Sequence, residues 1–458
     1  MSILLAQESP LFWGLLRPAF IRDATKTNVL MVAPPRSGKT ATLIANCLHY
    51  PGSILVADLK GAEVFFTTAR YRHHFNDHVY RFDPYRTAEQ TLLTQQKMQP
   101  ITNDHPPIRM NPFDLLDPNS PTFLETIDLY ADALVVPQTS SQPYFQDKAR
   151  SLIKTAILYL RLHAPAEEQN PGGLYRFFRS FSARGADWLG LFEMMLRSPD
   201  PLLASRAYEF VNMNDTELKS VESSLQLEIE WLGNPILQDA LSHSDLSWAR
   251  LKTGTTLYLI LPTEVVRRLS RLLRLFFAAF IQTFIHQAVP SQHPALLFLD
   301  EFPLMGNLGQ RTTDLLAVLP GFGLRTVLIS QTLAQIQATY EREADALTAL
   351  CATQVFLNVA DIREAERVAK LLGKKYVPVP GAEYADPLVG AAGNRPRTEL
   401  REILRPEQIR AQNNRAYVFA TGQRPRIGQP IRYFKHPYFR GKYDPNPLYA
   451  TAQPKGLF

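Results

Sequence analysis

Two textures of apolar and polar residues succeed each other along the chain. Short, mostly apolar runs occupy its two ends, and long amphipathic runs fill the middle. The run Asn28–Val32 reads as a buried strand, and "GKTATLIANCLHY" after it carries helical spacing. Pro51-Gly52 stops that helix, and "SILVAD" follows as a second buried strand. Strand, helix and strand within about thirty residues make a βαβ unit, which predicts a mostly parallel sheet. A helix over 63–71 and a strand at "HVYRFDP" come next. The stretch from Thr87 to Pro107 has few apolar anchors and reads as a long loop or insertion. From about Pro121 to Trp248, runs such as "YFQDKARSLIKTAILYLRL" and "TELKSVESSLQLEIEWL" predict an all-helical insert. Strand character returns at "TTLYLILP", "PALLFLDEF" and "LRTVLISQ".

The pattern therefore predicts an α/β fold with a mostly parallel sheet, interrupted by an all-α domain. The expected division is an N-terminal segment over 1–27, a first α/β part over 28–117, the all-α domain over 118–249, a second α/β part over 250–434, and an extended basic tail over 435–458. No internal repeat or low-complexity block interrupts this order.

Composition narrows the class only a little. The 458 residues, 45% hydrophobic and 20% charged, are those of an ordinary globular protein. A net charge of +6 permits a polyanionic partner without demanding one. Two cysteines, Cys47 and Cys351, far apart and without CxxC spacing, argue against a disulfide framework or a cysteine metal site. The most apolar run, "LFFAAFI" over Leu275–Ile281, is bounded by Arg274 and Gln282. It falls short of the ~18 uninterrupted apolar residues of a membrane span and reads as a buried helix. "LFWGLLRPAF" near the N-terminus reads as a segment docking on the protein itself or touching a lipid surface.

The candidate chemistry sits in "MVAPPRSGKTATL". Gly38-Lys39-Thr40 ends as a phosphate-binding loop ends, but Ala33 stands where the first glycine of G-x-x-x-x-G-K-[ST] belongs. Such a loop works by converging backbone N–H groups and a helix N-terminus on phosphate oxygens, with lysine adding a mobile charge. Ala33, Pro34, Pro35, Arg36, Ser37, Gly38, Lys39 and Thr40 are thus the candidate nucleotide-binding residues. Gly38 permits close approach, Lys39 reaches the β- and γ-phosphates, and Thr40 offers its hydroxyl to Mg²⁺. Ala33 is tolerable provided its φ is negative, while Pro34 and Pro35 stiffen the loop.

The other half of such a site is an acidic residue ending a buried strand. "ALLFLDEF" supplies Asp300, a candidate Mg²⁺ ligand directly or through water, and Glu301, a candidate to polarise the attacking water. Gln331, ending "TVLISQ", is a candidate sensor of the γ-phosphate or the water; a plain strand cap is its alternative.

These residues carry a resemblance. "VAPPRSGKT", "PGSILVADLKGAE", "VYRFDP", "RMNPFDLL", "TTLYLILP", "LLFLDEFPLMGNL" and "LISQTLAQIQATY" occur in this order between about 28 and 434. Together they resemble the TraG-like coupling ATPases of type IV secretion and conjugation. The resemblance implies a RecA-like ATPase domain interrupted by an all-α domain, with ATP and Mg²⁺ as cofactors and Ala as a known opening of the phosphate loop. It implies hexameric rings at the cytoplasmic face of the bacterial inner membrane. It also implies DNA, relaxase or effector substrates, and inner-membrane secretion components as partners. Lys39 and Thr40 match the nucleotide-binding pair, Asp300 and Glu301 the catalytic pair, and Gln331 the sensor. Asp58 and Lys60 fall in the family's D-x-K-G-E segment, where Glu63 stands one place later than the pattern has it.

Two departures shape the expectations. Family members usually carry transmembrane helices before the loop, and only about thirty residues precede it here, so this chain is expected to be soluble and monomeric at low concentration. Many members also place an arginine finger before the sensor strand; Arg311 and Arg325 are the candidates here. Two further features have an ordinary surface reading beside a functional one. "YRHHFNDH" offers His73, His74 and His78, better read as a solvated helix end than as a metal site. Arg267, Arg271 and Arg274 share a helix face that meets phosphates, a neighbouring subunit or solvent. Two other functional readings stand beside the coupling ATPase: a nucleotide-binding adaptor with little turnover, and a RecA-like DNA translocase outside secretion.

Overall fold

The computed structural model describes residues 2–8, 19–23, 25–75, 78–94, 104–135, 143–182, 188–286, 293–308, 310–384 and 395–449. "LFWGLLRPAF" lies almost entirely outside them. In chain order the strands are β1 (Leu4–Gln7), β2 (Phe20–Arg22), β3 (Val29–Val32), β4 (Ile54–Asp58), β5 (His78–Phe82), β6 (Thr255–Ile260), β7 (Ala295–Leu299), β8 (Leu324–Ser330), β9 (Thr353–Leu357), β10 (Lys374–Tyr384), β11 (Arg395–Glu402), β12 (Ala416–Ala420) and β13 (Arg426–Gly428). The helices nearest the sequence motifs are α1 (Lys39–Cys47), α2 (Glu63–Arg72) and α3 (Thr87–Thr94). The chain divides into two compact units. The first comprises Cys47–Leu328 and Phe439–Phe458 with Met1, and the second Ser2–Asn46 with Ile329–Tyr438.

In the first unit the strands run in the order β8-β7-β4-β6-β5, and each neighbouring pair is parallel. Every residue of β4, β6 and β7 is buried. That is why these strands read as continuous apolar runs and not as alternating ones: both of their faces are covered. The helix Ser270–His286 supplies part of the cover, with Phe276, Phe277 and Phe280 all buried. Phe276 packs on Phe82 of β5 at 4.6 Å and on Trp248 at 6.0 Å between ring centroids.

Between β5 and β6 the described residues form no strand. They form helices from Phe123–Leu134 to Pro235–Ala240. Local chemistry starts several of these helices. Asp200 accepts the amide of Leu203 ahead of Pro201, and Asn214 accepts that of Glu217.

In the second unit the order is β13-β12-β9-β3. β3 and β9 are parallel, and β12 is antiparallel to both β9 and β13. β1 and β2 form a short antiparallel pair, tied to α1 by Asn46, whose side chain bonds both the amide (2.7 Å) and the carbonyl (2.9 Å) of Leu4. Among the described residues no helix is long and apolar enough to cross a membrane.

Two expectations need correction. Thr87 to Pro107 is not all loop, because it opens with α3. Asp83 accepts the amides of Thr87 (2.7 Å) and Ala88 (3.0 Å), Glu89 pairs with the buried Arg81, and Ala88 and Leu92 are buried. A single capping carboxylate offsets the weak apolar pattern. The segment after Phe434 is not simply extended either. It makes short 3-10 turns at Pro437–Phe439 and Pro447–Tyr449, and it buries Phe439 and Asn446.

Candidate functional site

The fully buried β3 delivers the chain to the phosphate loop in the second unit. Ala33 is buried and is not among the residues with positive φ. The left-handed positions come later, at Arg36 (φ 62°) and Gly38 (φ 100°). A left-handed residue within a turn swings successive N–H groups toward one concavity, the geometry of an anion nest. At Gly38 a Cβ would also lie 3.1 Å from the Pro430 side chain, so glycine is needed twice over. Pro34 accepts the Ser37 amide at 3.2 Å, which closes the turn. Pro35 and Arg36 are exposed.

Lys39 begins α1 and is only 6% exposed, Thr40 is half-buried, and Thr42 ties its hydroxyl to the Gly38 carbonyl at 3.1 Å. The buried Ser37 Oγ has no hydrogen-bond partner within the protein. A buried ammonium, a helix N-terminus and an orphan hydroxyl together fit a chain of phosphates.

Gln331 follows β8 directly and is half-buried. Its amide donates to Gln335 Oε1 at 3.2 Å. The preceding carbonyl, of Ser330, accepts the Ala33 amide at 2.9 Å. The second unit therefore brings the start of the phosphate loop beside the strand end that carries Gln331.

The acidic pair belongs to the first unit. Asp300 and Glu301 follow β7 and are 6% and 7% exposed. Glu301 has φ 58°, a left-handed conformation uncommon for a non-glycine residue. Lys60 reaches both carboxylates, with Nζ 2.9 Å from Glu301 Oε1 and 3.3 Å from Asp300 Oδ2.

Lys60 comes from the segment that joins β4 to α2. Asp58, ending β4, accepts the amides of Val64 and Phe65 at 2.9 Å each. It thus does the capping that Ala62 at the helix start has no side chain to do. Gly61 and Ala62 are both left-handed (φ 63° and 64°). Burial pushes the Asp58 carboxyl up to about 7, partly offset by the two amides and reinforced by the charge of Asp300. Burial also pushes Glu63 up to about 7, with the Asp58 charge adding to the shift. Two buried carboxylates, those of Asp300 and Glu301, thus face one ammonium.

Other candidates fare differently. Arg325 is 3% exposed within β8, so it cannot reach out to a neighbouring subunit. The side chain of Arg311 lies outside the described residues. Arg274 is buried and donates to the carbonyls of Ala133 and Met305, both at 2.9 Å, so it faces neither phosphate nor solvent. Arg271 pairs with Glu228 at 2.5 Å, while Arg267 is exposed. His73 stacks on His105, His74 is exposed, and among the described residues no cluster of three or more His, Cys, Asp or Glu could hold a metal ion. The contacts of Lys60, Glu63 and Asp58 were the part that sequence reasoning left unassigned; Gly61 in "DLKGAE" was the available signal.

A family model described as "Type IV secretory system Conjugative DNA transfer" matches residues 10–455. The chain belongs to that family. It is 22% identical over 467 residues to the conjugal transfer protein TraG of Escherichia coli, covering 92% of this chain and 69% of that protein. It is likewise 22% identical over 439 residues to the type IV secretion system-coupling protein VirD4 of Bartonella quintana (strain Toulouse), covering 92% and 64%. Among solved structures it resembles the plasmid coupling protein TrwB in complex with ADP and Mg²⁺, with a TM-score of 0.62 at 15% identity over 89% of this chain and 85% of that one. The fold is accordingly the RecA-like P-loop fold, with a mostly parallel sheet and an abundance of helix.

Proposed function

We propose that this chain is the coupling ATPase of a conjugative type IV secretion system. In this reading it binds ATP with Mg²⁺, recruits a DNA–relaxase or effector substrate, and hydrolyses ATP to support transfer. It works as a hexamer at the cytoplasmic face of the inner membrane, against the membrane components of the channel. The observation that carries the reading is the turn from Ala33 to Lys39, whose left-handed Arg36 and Gly38, buried Lys39 and orphan Ser37 hydroxyl fit a phosphate chain. TrwB, which shares the fold, is described in complex with ADP and Mg²⁺. The family match favours conjugative transfer over a translocase unrelated to secretion.

In this mechanism the loop amides and Lys39 hold the phosphates, and Thr40 and Asp300 are the proposed Mg²⁺ ligands. Mg²⁺ held there would supply Lewis-acid stabilisation of charge on the phosphate oxygens. Glu301 orients and deprotonates the attacking water, and Gln331 senses the γ-phosphate. The division of labour is testable, because lysine contacts phosphate in the ground state while the carboxylate acts near the transition state. Lys39→Ala weakens nucleotide binding. Glu301→Gln leaves binding intact and stalls turnover, an effect of roughly a hundredfold or more by analogy with other single catalytic groups. Nucleotide affinity and steady-state turnover, with and without single-stranded DNA, read both. Wild-type turnover in Glu301→Gln overturns the assignment, and flat near-zero turnover in the native chain favours the adaptor reading.

A further inference from the structure

The last described stretch of the chain runs along α2 toward the segment that carries Lys60. Lys442 lies over the ring of Tyr71 at 5.8 Å. The Asp444 carboxylate accepts from Arg70 Nε at 2.9 Å to each oxygen and lies 2.7 Å from Arg70 Nη2, and its backbone amide donates to the Thr67 carbonyl at 3.1 Å. Asn446, 4% exposed, donates its side-chain amide to Glu63 Oε1 at 3.0 Å. Its own Oδ1 accepts the Leu448 amide at 2.9 Å, so the Asn446 side chain is held at both ends. Leu448 packs at the left-handed Gly61, 3.7 Å from where a Cβ would stand. Residues 442, 444, 446 and 448 thus meet 71, 70 and 67, 63, and 61 in turn.

We infer that this C-terminal strap is a positioning element of the hydrolytic site, with Asn446 acting through Glu63 and Lys60 on Glu301. The inference rests on the reading of Glu301 as the hydrolytic carboxylate. A buried carboxylate without a donor is costly, so the Asn446 amide fixes where the first turn of α2 sits. Two left-handed residues, Gly61 and Ala62, precede that turn, and Lys60 precedes them. Lys60 pairs with both Asp300 and Glu301. A shift of the strap therefore becomes a shift of the Lys60 ammonium, and with it of the carboxylate that must face the water.

Catalytic groups tolerate little displacement; about 1 Å costs on the order of a hundredfold. The full chain is compared with Asn446→Leu and with the swapped pair Glu63→Gln with Asn446→Asp, measuring kcat, nucleotide Kd and melting. Asn446→Leu should lower kcat about tenfold or more with Kd unchanged, and the swapped pair, which restores an amide–carboxyl bond, should recover most of the loss. If Asn446→Leu does not fold, Asp444→Ala at the more exposed part of the strap decides, with a smaller fall in kcat and an unchanged Kd. Unchanged kcat in the variant used overturns the inference, and so does a fall in kcat that merely tracks the folded fraction. Glu301→Gln separates the two levels. If it stalls turnover while the strap variants turn over normally, the strap inference alone fails. If it turns over normally, the hydrolytic reading and the strap inference fail together.

Discussion

The amide of Ala33 donates to the carbonyl of Ser330 at 2.9 Å. This bond continues the strand pattern into the first residue of the phosphate loop and keeps Ala33 out of the left-handed region. The turn that a first glycine would ease is displaced to Arg36 and Gly38, so alanine costs nothing at the opening position. Ala33→Gly should therefore destabilise, by about 0.4–1 kcal/mol, because glycine adds unfolded-state freedom that the fold must remove. Nucleotide affinity should not change. Urea unfolding and nucleotide titration of the variant check both, and a gain in affinity would show that the loop wants its glycine after all.

Glu301 occupies a left-handed conformation that suits glycine better than any residue with a Cβ. The strain fits a carboxylate held for chemistry and not for folding. Glu301→Gly and Glu301→Ala both remove the carboxylate and its pair with Lys60, so both should lose turnover. They should differ in stability, with the glycine variant the more stable by about 1 kcal/mol. Thermal melting of the two side by side is the test. An alanine variant as stable as the glycine one would mean that the backbone at 301 is not strained.

What could be read from the sequence follows a physical line. β4, β6 and β7 were legible because strands covered on both faces leave uninterrupted apolar runs. The loop was legible because phosphate binding constrains residue type at fixed spacing. α3 was not, because one capping carboxylate four residues upstream, Asp83, supplies what its apolar pattern lacks. Arg274 was misread because periodicity gives the face of a helix but not what covers it, and the carbonyls of Ala133 and Met305 lie far away in sequence. The Asn446–Glu63 bond spans most of the chain for the same reason.

Arg274 accordingly makes a stability prediction where the sequence left a binding face and a solvated face open. Arg274→Leu leaves the Ala133 and Met305 carbonyls without these donors in a buried setting. The cost should be about 2–4 kcal/mol, with nucleotide and DNA affinity of the folded protein unchanged. Denaturant unfolding and a DNA-binding titration separate the cases. Reduced DNA affinity at full stability would return Arg274 to a phosphate-facing role.

The buried carboxyls give the fold a pH dependence of definite sign. Asp58 and Glu63 rise from ordinary values of 3.8 and 4.5 to about 7 each, chiefly through burial. The folded state therefore holds protons that the unfolded chain releases near pH 4, and stability falls wherever the native state binds more protons. These two groups favour folding most at acid pH, lose that contribution between about pH 4 and 7, and add no further slope above it. Asp58→Asn keeps an oxygen that can accept the Val64 and Phe65 amides but carries no proton to lose. Its stability relative to the native chain should rise steadily from pH 4.5 to pH 7.5. Urea unfolding of both proteins across that range reads Asp58 together with the part of the Glu63 shift that its charge causes. A difference that stays flat with pH would show that Asp58 is charged in the fold throughout, held by its two amides and by Lys60 more strongly than burial opposes it.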